Sequence, residues 1–343
     1  MKKVKIISID GGGVRGVIPA LILQALEEKI QLRTKNKHSR LVDFVDFFAG
    51  TGSGGVITCA LLNPDDKLKA KAKFSTEEVN NFFHEFCLKA YSKSHLHKIQ
   101  TLGGLLNDKY TDKALNTLFT EQFADNKFSQ LIKPCIIAAY DLDHRRAHFF
   151  NQHNAMITKA KDFHIKDVAR VATATPTYFQ AVNIKSELGI SYPLIDGAVF
   201  ANNPGMCAYA ETRKMYFENI KNPISKDMYL LSLGTGLPER QYTFHEAKNF
   251  APGQWTKPLL SIVRSGNAET VTHQLKWLFD AEKNKNGFLR INPDLKNASN
   301  KFDAASKSNL KALKEAVDDY ISKNESLLNE IVQNLVPIEK ALE

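Results

Sequence analysis

The stretch Phe47-Phe48-Ala49-Gly50-Thr51-Gly52-Ser53-Gly54-Gly55-Val56-Ile57 constrains this chain more than any other. An apolar run of strand length meets a cluster of glycines. A helical apolar pattern follows through Val56, Ile57, Ala60 and Leu61. Strand, tight turn and helix make the geometry of a nucleophile elbow. There one side chain stands on a strained turn, and its flanking positions are tiny because strand and helix backbones nearly touch. The helix N-terminus adds free N–H groups and positive potential for an oxyanion. In that pattern the glycines stand two places before and two places after the reactive residue. Gly50 and Gly54 frame position 52, which is itself glycine, whereas Ser53 is framed by Thr51 and Gly55 and breaks the pattern on one side. The turn has the elbow's form without its reactive atom in the expected register.

A second glycine turn opens the chain. Val4 to Ile9 reads as a strand ending at Asp10, followed by Gly11-Gly12-Gly13-Val14-Arg15-Gly16. A helix then carries Ile18, Leu21, Ile22, Ala25, Leu26 and Ile30 on one face. This G-x-G-x-x-G suits a dinucleotide turn or a row of backbone N–H groups aimed at an anion. A dinucleotide turn wants an acid about 20 residues on, and Arg33-Thr34-Lys35-Asn36-Lys37-His38 offers none. Further apolar runs at Pro134–Tyr140, Pro193–Ile195 and Met228–Leu233 alternate with helical segments. The alternation predicts a mostly parallel sheet covered on both faces. Residues 1–240 read as this domain. From 241 to 343 the pattern loosens at Pro252-Gly253 and Pro258. It then becomes a helical extension whose stripes (Leu310, Leu313, Val317, Ile321, Leu327, Leu328, Ile331, Leu335) are expected to pack on the core. Lys67, Lys69, Lys71 and Lys73 read as a solvated loop, and Thr101–Leu106 as a loop that borders a pocket.

Composition narrows the partners. In 343 residues, 46 Lys and Arg against 37 Asp and Glu give +9, which suits anionic surfaces such as lipid head groups and equally suits general solubility. No zinc-finger spacing or RNP-type sequence is present, so nucleic acid is not expected. No apolar run nears the roughly 20 residues that span a bilayer, and the N-terminus is too short in apolar residues for a signal peptide. The cysteines, 59, 87, 135 and 207, lack metal-ligand spacing. They read as reduced core residues of a cytoplasmic protein that associates peripherally with membranes.

The glycine loop, the elbow and Asp196 each follow a predicted strand, so in an open α/β sheet they are expected to converge. Gly12 and Gly13 would offer backbone N–H groups to a tetrahedral oxyanion. Among the ten histidines, His144 and His148 sit in no comparable motif. Asp196, with Leu194 and Ile195 before it and Gly197 and Ala198 after it, suits a partly desolvated base. Alone, it reads better as an Asx-turn residue.

Taken together, Asp10–Gly16, Gly50–Gly55 and Asp196-Gly197-Ala198-Val199-Phe200-Ala201-Asn202-Asn203-Pro204 resemble the patatin-like phospholipase family. Ala139-Tyr140-Asp141 with Phe149-Phe150, Thr175–Phe179 and Ser232–Gly236 add to the resemblance, which runs in order from about Val4 to Gly236. It implies a three-layer α/β/α sandwich and a Ser–Asp dyad lipid acyl hydrolase of phospholipase A type, with no metal and no organic cofactor. By position, the oxyanion loop is Gly11, Gly12, Gly13, Arg15 and Gly16, the base is Asp196 in the Asp-Gly-Ala segment, and the nucleophile position is Gly52. Phospholipid or another acyl ester is the implied substrate, and a small-molecule or protein activator is a further implied partner. The family's elbow carries serine where this chain has Gly52. The chain is then an inactivated or naturally dead acyl hydrolase, or a lipid-binding pseudoenzyme, or the elbow is shifted so that Ser53 reacts. The flanking Gly50 and Gly54 favour the first, because a one-residue shift turns the side chain away.

Overall fold

The computed structural model describes residues 2–91, 113–237 and 242–337; the Thr101–Leu106 loop lies outside them. Five strands run parallel in the order Phe288–Ile291 (β8), Met228–Leu233 (β7), Val4–Ile9 (β1), Phe47–Gly50 (β2) and Cys135–Asp141 (β3). Arg146–Asn151 (β4) and Ser191–Asp196 (β6) both pair antiparallel with β3, and Val182–Lys185 (β5) lies beyond β6.

Strand alternation divides the core in two. Ile7, Ile9, Phe48, Ile137, Leu231 and Leu233 face one layer, built by Val17–Thr34 (α1), Ser53–Leu62 (α2), Thr76–Ala90 (α3), Lys113–Phe123 (α4) and Ile165–Ala172 (α5). Val4, Ile6, Phe47, Ala49, Met228 and Leu230 face the other, under Gly205–Thr212 (α6) and Thr256–Ala281 (α7). The result is the expected three-layer α/β/α arrangement. Strand β1 is buried on both faces, as a central parallel strand should be.

After residue 240 the chain is not helices alone, because β8 joins the central sheet beside β7. The helices Lys307–Lys323 (α8) and Glu325–Leu335 (α9) lay Leu310, Leu313, Val317, Leu328, Ile331 and Leu335 on the first core layer. Lys5 reaches from β1 to the Leu335 carbonyl at 2.6 Å, placing a cation at the C-terminus of α9. The lysines at 67, 69 and 71 stay exposed on their loop, and Lys73 pairs with Asp66 at 2.9 Å. Cys59, Cys87, Cys135 and Cys207 are free thiols. Among the described residues no helix is long and apolar enough to cross a membrane.

The sheet register sets the level of the site. Ile9 is opposite both Gly50 and Leu233, so Asp10, Thr51 and Gly234 leave the sheet together. Gly50 is opposite Ile137 on β3, and Asp196 is opposite Ala139, two residues further along the same strand. That step brings Asp196 level with residue 52. Convergence at parallel strand ends holds for the first two segments. Asp196 arrives differently, on an antiparallel strand that descends toward the sheet and stops where β2 has ended.

Candidate active site

The elbow is built by close backbone approach. A Cβ on Gly50 would lie 2.5 Å from the Gly54 carbonyl oxygen, and one on Gly54 would lie 2.2 Å from that of Ile9. No real side chain tolerates such distances, so β2, α2 and β1 can meet only with glycine there. Gly54→Ala is therefore expected to destabilise the fold by about 1–3 kcal/mol or more in urea unfolding, in the range of overpacked core substitutions. Between these glycines, Gly52 has φ 57° and ψ −128° and precedes the first residue of α2. This is a strained conformation for any residue with a Cβ.

A Cβ at position 52 would lie 3.4 and 3.5 Å from the two carboxylate oxygens of Asp196 and 3.2 Å from the Gly11 Cα. Asp196 itself is buried. Its Oδ2 accepts from the Thr175 hydroxyl at 2.7 Å, and its Oδ1 accepts from the Ala198 N–H at 2.9 Å. The second contact is an Asx turn, so the turn role and a place in the site coexist. Burial raises the Asp196 pKa above the ordinary carboxylate range. Thr175, the Ala198 N–H, the Arg264 charge and the Gly52 N–H only partly offset that rise. Gly197 behind it backs onto Ala138, where a Cβ would fall 2.5 Å from the carbonyl carbon.

The raised pKa has a stability consequence. The folded state holds the Asp196 proton more tightly than the unfolded chain, so ionisation above the folded pKa disfavours the fold. Asp196→Asn is expected to melt at a higher temperature than the parent at pH 7. The gap should close as pH falls below the ordinary carboxylate value of about 4. An equal or lower melting temperature at pH 7 would contradict the desolvation argument.

The glycine loop lies against the elbow. Gly11 N–H donates to the Asn202 carbonyl at 3.0 Å, and Gly12 N–H donates to Ser53 Oγ at 3.0 Å. Of the two amides expected to face an oxyanion, Gly12's is thus already engaged, because Ser53 at the head of α2 sits directly beneath it. For the Gly13 and Ser53 N–H groups no acceptor is found among the described residues. Ser53 Oγ likewise has no acceptor for its own proton there. Arg15 donates to the Gly236 carbonyl at 3.3 Å. Gly16 lies against α2 and α3, where a Cβ would fall 2.8 Å from that of Ser53 and 2.5 Å from the Phe83 ring.

Asp10, first residue of the loop, is held by a residue that the motif reading missed. Arg290 of β8 donates to Asp10 Oδ1 at 2.8 Å and Oδ2 at 2.5 Å, and to Ser232 Oγ at 2.8 Å. Burial works against the Arg290 charge, but the Asp10 carboxylate outweighs it and holds the guanidinium proton above its ordinary range. The histidines stand apart. His144 bonds Asp141 at 2.8 Å, while His148 packs against Phe150, Phe163 and Tyr192, where burial pushes its pKa down to about 4. Among the described residues no cluster of three or more His, Cys, Asp or Glu is placed to hold a metal.

The family model of patatin-like phospholipase matches residues 7–209, which include the glycine loop, the elbow and the Asp196 segment. The chain belongs to the patatin-like phospholipase family. Among its relatives, patatin-like protein 2 of Arabidopsis thaliana is 30% identical over 347 residues, covering 95% of this chain and 84% of that protein. Probable inactive patatin-3-Kuras 1 of Solanum tuberosum is 28% identical over 336 residues, covering 94% of this chain and 87% of that protein. A comparison of folds finds VipD from Legionella pneumophila at 12% identity, covering 93% of this chain and 67% of that one, with a TM-score of 0.36. A score that low says nothing of this chain's function. As a patatin-like protein the chain is placed, at family level, with lipid acyl hydrolases. Arg290, Arg264 and all of α7 to α9 lie beyond the span that the family model matches.

Proposed function

We propose that this chain is a phospholipase A-type scaffold in which residue 52 is the nucleophile position and Asp196 the general base. With glycine at 52 it binds acyl lipid without cleaving it. One observation carries the reading: the vector from the Gly52 Cα toward a side chain points at the Asp196 carboxylate, 3.4 Å away at the Cβ. A serine hydroxyl there falls within reach of a base whose pKa is raised toward neutrality. The acyl oxyanion would be received by the Ser53 N–H and the Gly13 N–H. The first is the amide after the nucleophile, which an elbow always presents, and the second comes from the facing loop. Ser53 thus serves through its amide, while its hydroxyl steadies Gly12.

Access from a membrane surface is supported by α7. Trp255, just before it, and Leu259, Ile262 and Val263 on it recur at helical spacing and are exposed. The same helix reaches the Asp196 segment through Asn267, whose side chain donates to the Phe200 carbonyl at 2.7 Å and accepts from Asn203 N–H at 3.2 Å. An exposed apolar stripe on a chain of +9 suits an anionic interface. The test is fatty-acid release from mixed phospholipid vesicles. The parent chain should bind without release, and Gly52→Ser should release. Release by the parent chain that Ser53→Ala abolishes would install Ser53 as the nucleophile instead.

A further inference from the structure

Arg264 of α7 has no role in the reading above, yet it stands over the glycine loop. Its guanidinium carbon lies 4.7 Å from the centre of the Phe302 ring, which packs 4.5 Å from Tyr178. Phe302 is the residue that closes the loop. Its carbonyl accepts the Val14 N–H at 3.0 Å, and its ring lies 2.9 Å from where a Gly13 Cβ would fall. Arg264 therefore reaches the same wall of the site as Arg15, and its charge is felt at Asp196.

Neither arginine is satisfied. Arg264 Nε and Nη2 and Arg15 Nε are buried and have no hydrogen-bond acceptor among the described residues. Of the nearby carboxylates, Asp10 is held by Arg290, and Asp196 by Thr175 and Ala198. Burial and the neighbouring Arg264 charge together lower the Arg15 pKa to about 10, against opposing contributions from Tyr178 and Asp10. Arg264's charge is felt at Arg15, and an anion received by their buried N–H donors would offset that repulsion. Guanidinium forks match phosphate oxygens in geometry and charge.

We propose that Arg15 and Arg264 form an anion subsite beside residue 52 that receives the phosphodiester of the substrate's head group. The assignment rests on the ester-hydrolase reading, and its test separates the two. The parent chain, which carries Gly52, is titrated calorimetrically with dihexanoylphosphatidylcholine below its micelle concentration, with the neutral dihexanoylglycerol, and with inorganic phosphate. In parallel, Gly52→Ser is assayed for hydrolysis of both lipids.

Arg264→Gln is expected to weaken binding of the phospholipid about 10- to 100-fold more than binding of the glyceride, the range for losing a charge-assisted contact. Arg264→Lys, which keeps a cation over Phe302, should retain part of the preference. Inorganic phosphate should compete with the phospholipid in the parent and not in Arg264→Gln. An unchanged preference in Arg264→Gln, or an equal loss for both lipids, overturns the subsite. Phosphate binding that depends on Arg264, without any preference for the phospholipid, keeps the anion subsite but refutes its assignment to the head group. If Gly52→Ser hydrolyses neither lipid while Arg264 still governs the preference, the hydrolase reading falls and the subsite stands as a lipid-binding site.

Discussion

Gly52→Ser is expected to raise fatty-acid release from phospholipid vesicles by about 10⁴-fold or more over the parent chain, since removing a serine nucleophile from a working site costs up to about 10⁶ in kcat. The surrounding geometry is already present. The position faces Asp196, two amides have no acceptor among the described residues, and the turn has the φ of 57° and ψ of −128° of a strained elbow. Serine pays for that turn with about 1–3 kcal/mol of backbone strain, so the variant should also melt earlier than the parent. Adding Asp196→Asn to Gly52→Ser should return release to near the parent level while restoring some of the lost stability. The pH profile gives an independent check. Activity needs the carboxylate ionised, so it should fall as the solution is acidified through a pKa above the ordinary carboxylate range. A Gly52→Ser protein that is folded, binds vesicles and releases nothing would refute the dyad.

Arg290→Met is expected to produce the largest loss of stability of any single side-chain change considered. Removing one partner of a buried ion pair costs about 3–5 kcal/mol, because the other charge is left without compensation. Here the stranded group is Asp10, whose two oxygens both rest on Arg290. Arg290→Lys keeps the charge but lacks the planar fork, and should recover only part of the loss. The double change Asp10→Asn with Arg290→Met should recover more than either single change predicts, since no charge is then stranded. Urea unfolding of all four proteins gives the coupling directly. A coupling below about 1 kcal/mol would show that the pair is incidental. In the Gly52→Ser background the same series should lower kcat more than it raises KM, because Asp10 starts the loop that positions the Gly13 amide.

Much of the candidate site was legible in the sequence, for a physical reason. Backbones that nearly touch leave glycine as their trace, so Gly50 and Gly54 announced both the turn and its register. Asp196 stood out only in company with the two glycine turns, and the register at Ala139 shows how it comes level with them. The direction of its strand was not, because an isolated run such as Pro193-Leu194-Ile195 carries no sign of whether its neighbour is parallel. Arg290 left no signal either. It lies in a four-residue strand after a helix, far in sequence from the carboxylate it binds, and only the pairing of β8 with β7 brings it there. The Gly12 amide looked as available as its neighbour, since nothing in sequence says that the Ser53 hydroxyl turns toward it. Arg264 belongs to no motif in the sequence and left no signal there either.

The sheet order has a consequence for how this protein is made. Strand β1 leaves the ribosome first, but its partner β7 begins at Met228 and the strand bearing Arg290 ends at Ile291. A nascent chain can therefore place residue 52 beside Gly11 long before it can neutralise Asp10 or cover the open flank of its earliest strand. Until Met228–Leu233 has been made, that flank of the earliest strand has no neighbour to pair with and stays open to other chains.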